Sequence, residues 1–212
     1  MLKRAAPAAG FLLPVFFGLF FLGFSPLQSP AASELNPNGP YFEGPIYFGF
    51  SDFSADRAEI EDKLASVINA EAEAARAAGL TRRDEDWPAA AVYVAAYSFT
   101  SKKLADALIR AAASGCEVTV VMDKKQSQGK GSLASYLASN GVAVLLDASH
   151  NAMHSKYILC LSQDAVYTGS YNFTENAENI VGLVGNPFLV MMYLRDFMGH
   201  IEHAEMFFPK MS

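Results

Sequence analysis

Residues 153–172 read MHSKYILCLSQDAVYTGSYN, and this stretch decides how the rest of the chain is interpreted. Two apolar runs of strand type, residues 157–161 and 165–168, flank the turn-forming residues Ser162, Gln163 and Asp164. Apolar runs of this length on either side of a short polar turn predict a β-hairpin. The residues just before the first strand and just after the second are therefore expected to lie side by side.

Four polar side chains mark the open end of this hairpin. His154 and Lys156 stand at its beginning, and Ser170 and Asn172 stand at its end. Residues two apart share a face of a strand, so an imidazole, an ammonium, a hydroxyl and an amide are predicted to converge on one patch. Such a patch suits a phosphate, with Lys156 supplying charge, Ser170 and Asn172 supplying donors, and His154 acting as nucleophile or acid/base. None of the four is a carboxylate or thiolate, so no metal ligand set is predicted among them.

Each half of this pattern has an ordinary alternative. A single histidine at a strand end is most often a plain polar residue, and Gly-Ser-x-Asn alone is common in turns. The combination of two i, i+2 pairs at facing strand ends resembles the HxK…GSxN motif of the phospholipase D superfamily. Residues 92–100, 115–124 and 172–174 are also similar to the small single-motif secreted bacterial endonucleases of that superfamily.

The resemblance implies a fold, a reaction and an assembly. The implied fold is an α/β sandwich, and the implied reaction is phosphodiester hydrolysis through a phosphohistidine on His154, without a metal or other cofactor. Lys156 and Asn172 would hold the phosphate oxygens with help from Ser170, and Glu178 would orient the imidazole. Because the chain has a single HxK motif, the resemblance also implies a homodimer with a shared active site.

One departure from the superfamily pattern lies within the hairpin. The superfamily motif has an aspartate seven positions after the histidine, where this chain has Leu161. Gly169 is also one residue further from His154 than the superfamily spacing, so the turn is expected to hold an extra residue, with Asp164 as a displaced counterpart of the missing aspartate.

Composition sets the limits of the domain organisation. The chain has 212 residues, 51% of them hydrophobic, which is enough for one well-packed domain with an N-terminal appendage. A net charge of −6 and a pI near 5.2 do not indicate a generic nucleic-acid binder.

The N-terminal residues carry the pattern of an export segment. Lys3 and Arg4 precede a nearly continuous apolar run, residues 8–24, and small residues follow it. Residues 1–33 are therefore predicted to be a signal peptide or an uncleaved membrane anchor, followed by a linker at 34–45 and a phospholipase D-like catalytic domain at 46–212. The catalytic domain is expected to be exported, either periplasmic or secreted, or attached to the membrane through this segment.

The rest of the chain predicts alternating strands and helices. A first strand is expected at residues 46–50 and a long amphipathic helix from Ser54 to Ala78, whose acidic residues, including Glu71 and Glu73, are predicted to face solvent. The βαβαβ alternation of residues 90–146 predicts a mostly parallel sheet flanked by helices. A strand at 180–184 and a last helix at 187–206 follow the hairpin.

Loops at the carboxyl ends of parallel strands are the expected substrate-binding region. The predicted substrate-binding residues there are Lys102, Lys124, Lys125, Gln126 and Lys130. Any one of these lysines can equally well be interpreted as an ordinary loop residue that only makes the surface soluble.

The cysteines and the remaining histidines indicate little by themselves. Cys116 and Cys160 are interpreted as two buried thiols in preference to a disulfide. His200 and His203 stand at i, i+3, a spacing that can bind a metal ion, but the sequence identifies no carboxylate or cysteine partner for them, so a metal site there is not predicted.

The sequence therefore predicts a metal-independent phosphodiesterase, with single-stranded nucleic acid as the preferred substrate. Phospholipid headgroup hydrolysis is the alternative, favoured by the acidic composition and the apolar N-terminal segment. A catalytically silent phosphodiester-binding module is a third interpretation, motivated by Leu161 and the longer turn. DNA and RNA are not distinguished.

Overall fold

The computed structural model describes residues 45–50, 54–78, 88–174, 176 and 178–209. The predicted export segment at 1–33 and all but the last residue of the linker at 34–45 lie outside these ranges. Within them, no helix combines the length and the apolar composition that crossing a membrane requires.

An eight-stranded sheet forms the centre of the described domain, in the order β1-β7-β6-β5-β2-β3-β4-β8. The strands are β1 Ile46–Phe50, β2 Ala91–Ala96, β3 Glu117–Asp123, β4 Ala143–Asp147, β5 Lys156–Cys160, β6 Ala165–Gly169, β7 Asn179–Leu183 and β8 Glu205–Met206. The α/β class and the predicted hairpin, β5 with β6, are confirmed.

The expectation of a mostly parallel sheet is wrong. Only β2 with β3 and β3 with β4 are parallel among the pairings of the described strands, and the other five pairings are antiparallel. Parallel neighbours need a long crossover connection, and adjacent strands of the sheet have one from β2 to β3 through α2 and from β3 to β4 through α3. The connections from β4 to β7 are short, and α4 carries the chain from β7 to β8 at the other end of the sheet. Antiparallel strands therefore lie on both sides of a small parallel centre.

Four α-helices of the described residues cover the sheet. They are α1 Ser54–Ala78, α2 Lys102–Ala113, α3 Ala134–Ser139 and α4 Pro187–Ile201. Alternate side chains of each strand enter two separate cores: Val92 and Val94 pack with α1, α2 and α3, whereas Tyr93 packs on the other face with Leu194 and Phe197 of α4. The sheet is therefore the middle layer of a three-layer sandwich.

The last helix is shorter than predicted. Its start agrees with the sequence, since Asn186 caps it by accepting from the Leu189 N–H at 2.9 Å and Pro187 occupies the first turn. The helix ends at Ile201 and not at residue 206, and the chain then turns to form β8, which pairs antiparallel with β4. A strand of two residues has no periodicity that a sequence can reveal.

The two cysteines are free and buried, as predicted. Burial raises the pKa of the Cys116 thiol to about 12, so this thiol stays protonated and unreactive at neutral pH.

Glu71 corrects the prediction that the acidic residues of α1 face solvent. Its carboxylate is fully buried and accepts from the Ser162 N–H at 3.1 Å, the Ser162 hydroxyl at 2.7 Å and the Gln163 side-chain amide at 3.0 Å. Burial raises the pKa of Glu71 and outweighs the lowering by these hydrogen bonds. The carboxylate therefore fastens α1 to the turn of the β5–β6 hairpin.

Replacing Glu71 with Ala is expected to lower the free energy of unfolding by about 3 kcal/mol, because three buried donors lose their acceptor. Glu73→Ala, on the exposed side of the same helix, is the matched control and should change it by no more than about 0.5 kcal/mol. The pH dependence of this effect follows from the raised pKa of Glu71 in the folded protein. The stabilisation of the fold by Glu71 is complete below the ordinary glutamate pKa and is partly lost as pH rises through the pKa of the folded state. Urea unfolding at several pH values should show that the difference in the free energy of unfolding between wild type and Glu71→Ala becomes smaller as pH rises. A difference in the free energy of unfolding that becomes larger with rising pH would contradict this role of Glu71.

Candidate active site

Strand ends from the middle of the sheet meet at one edge and place the predicted catalytic residues there. β2 ends at Ala96, which pairs with Lys156 at the start of β5. β6 ends at Gly169, which pairs with Ile180 near the start of β7. His154 and Lys156 therefore stand beside the segment that carries Ser170 and Asn172.

His154 and Lys156 form a close pair. The Lys156 Nζ lies 3.0 Å from His154 Nδ1 and donates to the His154 carbonyl oxygen at 2.6 Å. Burial lowers the pKa of Lys156, and the charge of Glu178 partly offsets that effect. The imidazole itself is exposed. The pair thus presents an accessible nucleophile beside a cation that the protein holds away from water.

Tyr97 packs against both members of this pair. Its ring centroid lies 4.4 Å from that of His154, and the Lys156 ammonium lies 5.1 Å from the Tyr97 centroid. The Tyr97 hydroxyl accepts from the Gln126 side-chain amide at 3.1 Å. Tyr97 therefore positions the imidazole and provides a cation–π contact for Lys156.

Asn172 and Ser170 are held by their own surroundings. Asn172 Nδ2 donates to Glu178 Oε1 at 2.7 Å and to the Ser170 carbonyl at 3.2 Å, and Ser170 Oγ accepts from the Asn179 N–H at 3.0 Å. Asn172 Oδ1 is the buried side-chain atom of the described residues that has no hydrogen-bond partner. A buried polar atom of this kind marks a place where a water molecule or a substrate group completes the site.

Glu178 was expected to orient His154. The contact that the structure shows is to Asn172, so Glu178 fixes the amide, and its role toward the imidazole stays a prediction.

Two backbone features bring residues 169–172 to this edge of the sheet. A side chain at Gly169 would run into the backbone of Asn179 and Ile180 on β7, so only glycine permits this approach. Phe173 adopts a φ of 57°, and its carbonyl accepts from the N–H groups of Thr100 and Ser101, each at 3.0 Å. The segment after β6 is thus tied to the segment after β2.

Asp123, at the end of β3, is a positioning residue that the sequence analysis missed. It is buried, its Oδ1 accepts from the N–H groups of Lys125 and Gln126 at 3.0 and 2.8 Å, and its Oδ2 accepts from Met153 N–H at 3.0 Å. Met153 immediately precedes His154, so this carboxylate holds the loop that delivers the imidazole. Its position as the last residue of a buried strand is the signal that the sequence offered.

Asp123→Asn is expected to lower kcat by about 10- to 100-fold, since one remaining oxygen cannot serve both loops and a small misplacement of the imidazole is costly. Asp62→Asn, at an exposed carboxylate paired with Lys103, is the control and should leave kcat unchanged. Steady-state kinetics on both variants measure the difference. An unchanged kcat in a folded Asp123→Asn protein would remove the positioning role.

The predicted substrate-binding residues divide into two groups. Lys102 is paired with Asp106, and Lys124 is paired with Glu205 at 2.8 Å, so neither presents an uncompensated charge. Lys125 donates to the Asn151 carbonyl in the loop before His154, and Gln126 reaches the site through Tyr97. Lys130 is exposed.

The extra residue of the hairpin is absorbed within its turn. Residues Leu161–Gln163 form a short 3₁₀ turn, and Asp164 follows in the left-handed conformation with a φ of 46°. Leu161 is buried in the core on the α4 side of the sheet. The strand register is regular on both sides, with Cys160 paired to Ala165, so the departure from the superfamily motif does not reach the open end of the hairpin.

A shallow groove, open to solvent, runs beside the imidazole. It is lined by His154, Lys156 and Thr168 on the sheet and by Met192, Tyr193 and Asp196 on α4.

Residues 89–185 match the family model described as "Cardiolipin synthase, PLD-like domain". These residues are therefore similar to the phospholipase D-like domain family. Among curated proteins, a phospholipase D of Rickettsia conorii is 30% identical over 112 residues, which cover 50% of this chain and 55% of that protein. The mitochondrial cardiolipin hydrolase of Drosophila melanogaster is 39% identical over 66 residues, 31% of this chain and 26% of that protein. The chain thus spans about half the length of the curated phospholipase D relatives it matches.

Two solved structures have a fold similar to that of this chain. Nuc of Salmonella typhimurium, a phospholipase D family member, superimposes with a TM-score of 0.61 at 24% identity, covering 78% of this chain and 99% of Nuc. NucT of Helicobacter pylori gives a TM-score of 0.55 at 18% identity, covering 78% of this chain and 100% of NucT. At these identities the likeness concerns the fold alone.

Proposed function

We propose that the domain is a phosphodiesterase that works through a phosphohistidine on His154. The observation that carries the proposal is the exposed imidazole within 3.0 Å of a buried ammonium, beside the Ser170 and Asn172 segment at one sheet edge. The similarity of residues 89–185 to the phospholipase D-like domain family supports the same reaction.

The proposed reaction has two displacements. A lone pair of the His154 imidazole attacks phosphorus, the N–P bond forms, and the P–O bond to the leaving group breaks as that oxygen takes a proton from an acid. Lys156 turns from Nδ1 to the phosphate and balances the charge that develops on its oxygens. Water then attacks phosphorus, gives up a proton to the same acid acting as a base, and releases His154.

The acid is proposed to be His154 of the partner subunit in a symmetric homodimer. The chain has four histidines, and the three others, His150, His200 and His203, are hydrogen-bonded to Asp147. A twofold axis brings the same patch of two subunits together, so one motif supplies both groups. In mixtures of wild type and His154→Ala allowed to exchange subunits, activity should fall as the square of the wild-type fraction. A linear fall would mean that each subunit acts alone.

Single-stranded nucleic acid is the proposed substrate. The groove beside His154 is open to solvent, and the exposed Lys125 and Lys130 belong to the loop that also carries Gln126. An extended polyanion can follow such a groove with its phosphate at His154.

Phospholipid is the second candidate. Phe188 and Met192 are exposed on α4, and Met192 borders the groove. An apolar surface beside the site suits contact with a bilayer, and two of the basic groups predicted to bind substrate are already paired with acids.

The experiment that tests these proposals compares substrates under one condition. Protein from Glu34 onward and its His154→Ala variant are incubated with labelled single-stranded DNA, RNA and phosphatidylcholine/cardiolipin vesicles. Cleavage of nucleic acid that weakens steeply with salt supports the first substrate. Headgroup release with intact nucleic acid supports the second. No turnover of any substrate by wild type would overturn the enzymatic proposal in favour of a binding module.

A further inference from the structure

A second cluster of polar side chains lies at the same edge of the sheet, on the α4 side. Asp147 ends β4, His150 follows in the next loop, and His200 and His203 stand at the end of α4. Asp147 Oδ2 lies 2.9 Å from His150 Nδ1, 2.8 Å from His200 Nδ1 and 3.1 Å from His203 Nε2. One atom from each of the four groups falls within 4.8 Å of the others.

The carboxylate of this cluster is held in one orientation by backbone donors. Asp147 has a completely buried side chain, and its Oδ1 accepts from the Ser149 N–H at 2.9 Å and more weakly from the His150 N–H at 3.4 Å. These contacts leave Oδ2 directed toward the three imidazoles.

The imidazoles point at one place and do not stack. Their ring centroids are 5.1 to 6.0 Å apart with interplanar angles of 66° to 71°, so each ring turns an edge and a nitrogen toward Oδ2. Three ring nitrogens on one carboxylate oxygen exceed what its lone pairs serve well as hydrogen-bond acceptors. A cation that takes one lone pair from each nitrogen and one from the oxygen resolves that crowding.

The spacing and the surroundings fit a small divalent ion. Tetrahedral zinc with bonds of about 2.0–2.1 Å holds its ligand atoms about 3.3 Å apart, close to the nitrogen–oxygen distances in the cluster. The other nitrogen of His200, Nε2, lies 3.6 Å from Asp196 Oδ2, and that carboxylate also accepts from the Tyr157 hydroxyl at 2.8 Å. A carboxylate behind a ligating imidazole orients the ring and increases its basicity.

We propose that Asp147, His150, His200 and His203 bind one divalent transition-metal ion, with zinc as the preferred ion. The nitrogen-rich donor set favours zinc and its neighbours over magnesium or calcium. Four protein ligands close the coordination sphere, so the ion has a structural role. It fastens the loop of residues 148–153, which leads into His154, to the end of α4. The site is separate from the phosphodiester chemistry and does not depend on the proposed function.

This site replaces the expectation that His200 and His203 bind no metal. That expectation was based on the lack of an identified carboxylate partner in the sequence. The carboxylate comes from Asp147, which is 53 positions before His200.

Zinc content of the full-length chain tests the proposal. Protein is stripped with chelator, reloaded with zinc, dialysed and analysed by mass spectrometry for metal. Wild type and His154→Ala should both retain about one zinc per chain, because His154 is the one histidine outside the cluster. His203→Ala and His200→Ala should lose stoichiometric zinc, and Asp196→Asn should bind it about 10-fold more weakly.

Two further measurements do not depend on activity. Zinc should raise the Tm of stripped wild type by several degrees and leave the Tm of His203→Ala unchanged, as expected for a ligand that binds only the folded state. Cobalt should give the visible absorption of a four-coordinate ion in wild type and in His154→Ala, but not in His203→Ala or His200→Ala. His203 is at the protein surface, so His203→Ala is expected to fold, and its circular dichroism checks this. Equal zinc content in wild type and folded His203→Ala, or no zinc in wild type, would overturn the proposal and leave the imidazoles as hydrogen-bond donors to Asp147.

Discussion

Replacing His154 with Ala is expected to lower phosphodiester turnover at least about 10³-fold, because it removes the nucleophile and, in the proposed dimer, the acid as well. The imidazole is exposed and its side chain contacts Tyr97 and Lys156 only at its faces and Nδ1. The substitution leaves the buried core intact, so the Tm should change little.

Trapping the covalent intermediate separates a chemical role from a binding role. Wild type mixed with phosphorus-labelled substrate and quenched under alkaline conditions should retain label on the protein, and His154→Ala should retain none. His203→Ala is the matched histidine control, and it should be labelled like wild type when assayed at a temperature where it is folded. Label on folded His154→Ala protein would show that another residue is the nucleophile.

Replacing Lys156 with Met is expected to lower kcat by at least about 100-fold without lowering the stability of the fold. The ammonium provides the positive charge next to His154, and an apolar side chain of similar length cannot balance charge on the phosphate. Burial lowers the pKa of Lys156 despite the opposing charge of Glu178, so the folded state binds this proton less well than the unfolded chain does. The charged lysine therefore destabilises the fold at neutral pH, and methionine removes that cost.

The pH dependence of this effect has a definite sign. Wild-type stability should rise as pH increases through the lowered pKa of Lys156, because the unfolded chain there holds more protons than the folded one. The stability of Lys156→Met does not rise with pH in this way. The Tm of Lys156→Met should therefore exceed that of wild type most at neutral pH, and the difference in Tm should become smaller under alkaline conditions. Lys63→Met, on α1, serves as the control for removing a lysine charge. A Tm of Lys156→Met clearly below that of wild type would mean that the ammonium stabilises the fold through its contacts with His154.

Local patterns accounted for much of the architecture. The bounds of β1 and α1 agree with the sequence, and the hairpin of β5 and β6 follows from two apolar runs around a polar turn. The resemblance to the superfamily was based on two i, i+2 pairs, because a hairpin brings nearby residues together by a short connection. Such features depend on contacts within about twenty residues, which periodicity and turn chemistry encode directly.

Features that depend on distant contacts were missed. The burial of Glu71 depends on the hairpin turn 91 positions later, and an amphipathic helix pattern does not show which of its acids meets such a partner. The role of Asp123 depends on Met153, which lies 30 positions away. The direction of the outer strands was also missed, since each strand pattern is the same for parallel and antiparallel neighbours.

The sequence by itself determined the α/β class, the hairpin and the identity of the residues at its open end, since each follows from side-chain periodicity or turn chemistry over a short stretch. Only the tertiary structure decided the antiparallel outer strands, the tie between Asn172 and Glu178, the loop anchor at Asp123 and the convergence of three histidines on Asp147. These depend on which strand ends share an edge of the sheet. Strand order follows from the burial of both sheet faces by helices distant in sequence, and no local pattern of residues encodes it.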